Sequence, residues 1–181
     1  MSGPAVWCTA VIAGTFAVSA VAGARDLAAF RTAVRAFRVV PRRLVPAAAS
    51  TVLVAEAAVV VLLAVPATRV VGFVGAAALL VAFTGAMARV LRRGDRTPCA
   101  CFGRATDPVH PRHLVRNAVL VAVCGAGIAL HVAAGPTPWP VAALAVLAAV
   151  PVVAAVVALD DLVSLFSPSP HSGSTGSRTT R

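Results

Sequence analysis

Lysine and tyrosine are absent from this sequence, and charge is scarce: 12% of its 181 residues are charged and only six are acidic. A soluble domain normally carries about a quarter charged residues. With 59% apolar residues and a mean hydropathy of +0.90, one water-soluble core could not hide the apolar surface, and a bilayer is the natural solvent. Enzymatic signatures are also missing. There is no nucleotide-binding Gly loop, no Ser/His/Asp set and no carboxylate pair suited to acid–base work, so no cofactor is expected. The net charge of +10 comes from Arg clusters lying between apolar runs. No separate basic domain exists, which argues against nucleic acid as a partner.

A helix needs about 20 apolar residues to cross a membrane. Five runs meet that length, near 5–24, 44–65, 70–90, 114–134 and 141–159, each bounded by Arg, Asp, Pro or Gly. The fold class expected is therefore all-α: a polytopic bundle of a four-helix core plus one, with the lipid bilayer as its first partner. A cleaved signal peptide is the rival reading of the first run, and small residues at Ala22 and Ala24 would permit it. Against it, Met1 to Trp7 carries no basic residue, and the positive charge follows the run.

The Arg residues alternate between connections. The first holds Arg25, Arg31, Arg35, Arg38, Arg42 and Arg43, and the second only Arg69. The third holds or borders seven, from Arg89 to Arg116, while the fourth, Gly135 to Pro140, holds none. Excess positive charge marks cytoplasmic loops. The expected orientation in the cell membrane is N-terminus outside and C-terminus cytoplasmic. Trp139 would then sit at the outer interface, where Trp is favoured.

Two stretches are not spans. Leu27, Phe30, Val34 and Phe37 recur at helical spacing, with Arg31, Arg35 and Arg38 between them. That pattern predicts a short amphipathic helix on the membrane surface, the alternative being a loop with a solvated charge run. The membrane domain is expected to cover 1–166. From Ser167 onward Ser, Pro, Gly, Thr and Arg dominate without apolar periodicity, which predicts a disordered cytoplasmic tail over 167–181.

Chemistry concentrates in the third connection, where Cys99 and Cys101 are the only closely spaced Cys pair. Nearby Arg favours thiolate over thiol, and Pro98 and Gly103 favour turns. A disulfide needs its Cα atoms about 4.4–6.8 Å apart, so residues at this spacing could form one only in a bent backbone. Such a bond would be strained, and strained exposed disulfides tend to be labile and catalytic. His110 and His113 follow closely, so a metal site of Cys99, Cys101, His110 and His113 is a second reading. Usual zinc pair spacings are wider than Cys-x-Cys and His-x-x-His. Two unpaired thiols are the third reading.

Within the spans, Glu56 is an ionisable group near mid-membrane. Such groups are costly in lipid and usually face a bundle interior. It serves either a function or a structural hydrogen bond. Cys124 falls at a similar depth and is read as a small buried hydrophobe. Cys8 would join a thiol relay only if the fold brought others close. Arg116 and Asn117 open the fourth span and would support the Cys segment, while Gly72 and Gly75 allow close helix packing.

The run Cys99-Ala100-Cys101-Phe102-Gly103 resembles the Cys-x-Cys-Phe-Gly signature of the methylamine utilization membrane protein family, MauE, related to DoxX-like proteins. Arg93-Gly94 before the pair, Arg116-Asn117 at the fourth helix, Glu56 beyond Pro41 and Pro46, and Asp26 with Phe30 extend the likeness over roughly residues 9 to 134. Where the family often has Lys before that Asp, this chain has Ala24-Arg25. The resemblance implies a redox-associated role for Cys99 and Cys101, supported by Glu56, Phe102, Gly103, Arg116 and Asn117. It further implies a thioredoxin-like partner and an exported client such as the methylamine dehydrogenase small subunit. A non-catalytic assembly factor is the alternative. The Arg pattern sets the pair on the cytoplasmic side, whereas disulfides of exported proteins form outside. Either a cytosolic reductant feeds the pair, or it dips into the bundle, or the orientation is reversed.

Overall fold

The computed structural model describes residues 2–94, 110–133 and 137–166, with the side chains of 159–166 excepted. Six α-helices occur among them: α1 Gly3–Arg25, α2 Leu27–Ala36, α3 Val45–Ala64, α4 Arg69–Arg93, α5 Pro111–Ala133 and α6 Trp139–Phe166. All but α2 are long and apolar enough to cross a membrane. The five expected spans are therefore present, with α5 starting earlier, at Pro111, and α6 running on to Phe166 rather than ending at 159.

The punctuation has local causes. Pro4, Pro46, Pro111 and Pro140 stand in the first turns of α1, α3, α5 and α6. A proline there gives up an N–H that would have no intrahelical partner, and its fixed φ already suits a helix. Helix α4 ends at Gly94, whose φ of 68° is left-handed and costs glycine little. The Asp26 side chain accepts a hydrogen bond from the Ala29 N–H at 2.9 Å and starts α2. Between α3 and α4, Thr68 Oγ1 donates to the Leu62 carbonyl at 2.9 Å and Arg69 Nε to that of Leu63 at 3.1 Å. Carbonyls left open at the end of α3 are thereby satisfied.

Helices α1, α3, α4 and α5 close a ring in which each packs on the next and α5 returns to α1. Helix α6 lies outside, against α1. Small residues set how near the helices come. A Cβ on Gly14 of α1 would meet Val153 of α6 at 3.0 Å, and one on Gly72 would lie 3.0 Å from the Leu63 backbone N. A Cβ on Gly127 of α5 would overlap the ring of Phe73. In lipid, helix association draws on such close packing and on interhelical hydrogen bonds, because tails are as apolar as the side chains. Exposed Val54, Val61, Val81 and Leu144 are the lipid face of the same design.

Helix α2 confirms the amphipathic segment. It packs mainly on α3, and Arg93 Nη2 at the end of α4 donates to the Phe37 carbonyl at 2.6 Å. The chain turns at Arg38, a non-glycine residue with φ 52°.

Candidate functional site

One half of the ring, where α4 ends and α5 begins, holds its buried polar side chains. Glu56 of α3, the only Glu in the sequence, is 2% exposed. Ser19 Oγ of α1 donates to its Oε1 at 2.9 Å. Its second oxygen, Oε2, has no hydrogen-bond partner among the described residues. Across the ring, Asn117 Nδ2 of α5 donates to Thr84 Oγ1 of α4 at 3.3 Å, and Thr84 Oγ1 donates to the Leu80 carbonyl at 2.7 Å. Arg116 and His113 are buried on the same face of α5. This face therefore carries a guanidinium and an imidazole into the bundle.

Glu56, Ser19, Arg116 and Asn117 share one cavity of about 260 Å³. Its apolar walls come from α1, α2 and the segment after it, the start of α3, α4 and α5. Phe16, Phe30, Phe37 and Phe83 line it, four of the seven Phe in the sequence. The amphipathic helix is therefore a wall of the site rather than a free surface element. Its stripe of Phe30, Val34 and Phe37 faces the cavity lining.

Glu56, Arg116 and Asn117 are thus brought together at one cavity, while Cys99, Cys101, Phe102 and Gly103 lie outside the described residues, as does the tail from Ser167. Of the four residues in the metal reading, only the two His are described. Their ring centroids are 6.5 Å apart, His113 is fully buried and His110 exposed. Among the described residues, no group of three or more His, Cys, Asp or Glu is placed to hold a metal ion. Cys8 and Cys124 are free thiols in the apolar cluster of the ring. Glu56 bonds to Ser19, and Cys124 packs among hydrophobes.

Sequence reasoning did not find Ser19, Thr84 or the aromatic cavity. Ser19 lies 37 residues from its partner, and a small hydroxyl in an apolar span looks like packing. The cavity walls had a partial signal, because the α2 stripe must bury against something.

The family profile described as "Methylamine utilisation protein MauE" matches residues 1–130. The chain belongs to the MauE family. It is similar to the methylamine utilization protein MauE of Paracoccus denitrificans, with 38% identity over 122 residues. That alignment covers 66% of this chain and 63% of the relative, so the chain spans less than two thirds of the relative's length. No solved structure matches. The MauE match takes in α1 to α4, α5 as far as Leu130 and every described residue that lines the cavity; α6 falls beyond it.

Proposed function

We propose that this multi-pass membrane protein is a thiol–disulfide component that assists maturation or export of a client protein, with Cys99 and Cys101 as its redox pair. The supporting observation is the Cys-Ala-Cys-Phe-Gly run in a chain of the MauE family. In exchange, a thiolate of one protein attacks a disulfide sulfur of the other. A mixed disulfide forms and the second Cys resolves it, so one disulfide opens for each that closes. A thioredoxin-like protein is the exchange partner. The family name points to methylamine metabolism, with the methylamine dehydrogenase small subunit as the model client. Arg96 and Arg104 flank the pair and favour its thiolate.

Acid-quenched thiol trapping on intact cells, with a mass tag on each free Cys, tests this. The pair should be partly oxidised and should shift when the thioredoxin-like partner is removed. A Cys99→Ser, Cys101→Ser protein should lose client maturation. A pair that stays reduced in every condition, with full maturation in the double variant, returns the protein to the assembly-factor reading.

A further inference from the structure

The cavity has features that a packing defect would not need. Its walls concentrate Phe16, Phe30, Phe37 and Phe83, which offer ring faces and edges. Its polar end carries a carboxyl that is 2% exposed and satisfied on one oxygen only, Oε2 having no partner among the described residues. An unpartnered buried polar atom is costly, and a lipid tail filling the cavity would leave it so. A ligand that satisfies the site must be apolar over most of its surface and must carry an oxygen at one end.

Size narrows the class. A dry cavity of about 150 Å³ takes benzene; this one, at about 260 Å³, has room for a second ring. Phe-lined walls favour a flat body, since aromatic pairs stack offset or edge to face. The carboxyl can accept from a ring hydroxyl when ionised or donate to a ring carbonyl when protonated. Arg116 in the same lining adds positive charge near a polarised ring oxygen.

We propose that the partly open cavity between α2 and the ring is a binding site for a flat, membrane-soluble ring compound of the quinone–quinol class, its ring oxygen hydrogen-bonded to Glu56. The proposal rests on described residues alone and does not depend on the thiol reading.

The test is saturable binding of radiolabelled 2-methyl-1,4-naphthoquinone to the full chain in lipid nanodiscs, read against empty discs. One probe should bind per chain in excess of the discs. Ala86→Phe, which fills the cavity from α4, should abolish saturable binding. Glu56→Ala should weaken it about tenfold, the loss of one hydrogen bond to a charged or polarised group. Cys99→Ser with Cys101→Ser should bind as the native protein does, even if maturation fails. Photolabelling of the unsubstituted chain with an azido analogue should mark peptides of α2 and of Phe83–Met87, a readout independent of whether any variant folds. Binding no greater than in empty discs would overturn the proposal. So would labelling confined to α6, or saturable binding that survives both cavity substitutions in folded protein.

Discussion

At the scale of single residues, the hydrogen bond from Ser19 Oγ to Glu56 ties α1 to α3 inside the ring. A lone carboxyl in an apolar span must face the bundle interior, because lipid offers it nothing. That conclusion holds: the side chain is buried in the ring and bonded. Its partner was not legible, because Ser19 carries no periodic signal and the pairing spans two helices. Interhelical hydrogen bonds in membranes average about 0.6 kcal/mol and reach about 1.7. Ser19→Ala removes the hydroxyl that donates to Oε1, so it should cost about 1 kcal/mol in a reversible unfolding assay in mixed micelles. Combined with Glu56→Ala the two effects should not add, since each removes the same bond. Additive costs would show that the hydroxyl and the carboxyl stabilise the ring separately. His113, offered as a metal ligand by its nearness to Cys99 and Cys101 rather than by its spacing from His110, lies with Arg116, Asn117, Leu120, Cys124 and Gly127 on the buried face of α5. Their steps of three, one, three, four and three follow the helical repeat, a signal that was present in the sequence.

Among the elements, the five spans and the amphipathic helix were legible because length, hydropathy and spacing each fix them independently. The way the helices meet was not. Gly72 and Gly75 announce that α4 allows close approach, but the tightest fit is between Gly127 of α5 and the Phe73 ring of α4. Gly127 continues the buried repeat of α5, whereas a Cβ on Gly125 would meet nothing within 4 Å. Gly125→Ala should therefore leave stability near native. Gly127→Ala forces the ring of Phe73 to move in a packed core, an overpacking change that costs roughly 1–3 kcal/mol. Adding Phe73→Leu should recover part of that loss by removing the ring edge. Equal stability of the two alanine variants in thermal unfolding would mean that α4 and α5 separate without cost.

For the whole molecule, five spans would set Gly3 and Phe166 on opposite sides of a membrane, and the Arg distribution predicts which lies where. The first and third connections carry the clusters, and the structure sets the cavity in the half of the ring that those connections serve. Arg35 of α2 and Arg92 of α4, each in a last helical turn, belong to that end. If the clusters face the cytoplasm, a fluorescent protein fused after Phe166 should glow, and an alkaline phosphatase inserted at Thr137 should be active outside. Replacing Arg31, Arg35, Arg42 and Arg43 with Ser removes most of the first cluster and leaves Arg93, which ties α2 to α4 through the Phe37 carbonyl. The expected outcome is a mixed population, with part of the chains now active at a phosphatase placed after Phe166. The third cluster keeps the remainder in place. A clean native pattern in that variant would assign orientation to the third cluster alone. An inverted pattern in the unsubstituted chain would set the cavity's half of the ring, and the third connection with Cys99 and Cys101, on the outer side, where exported clients acquire their disulfides.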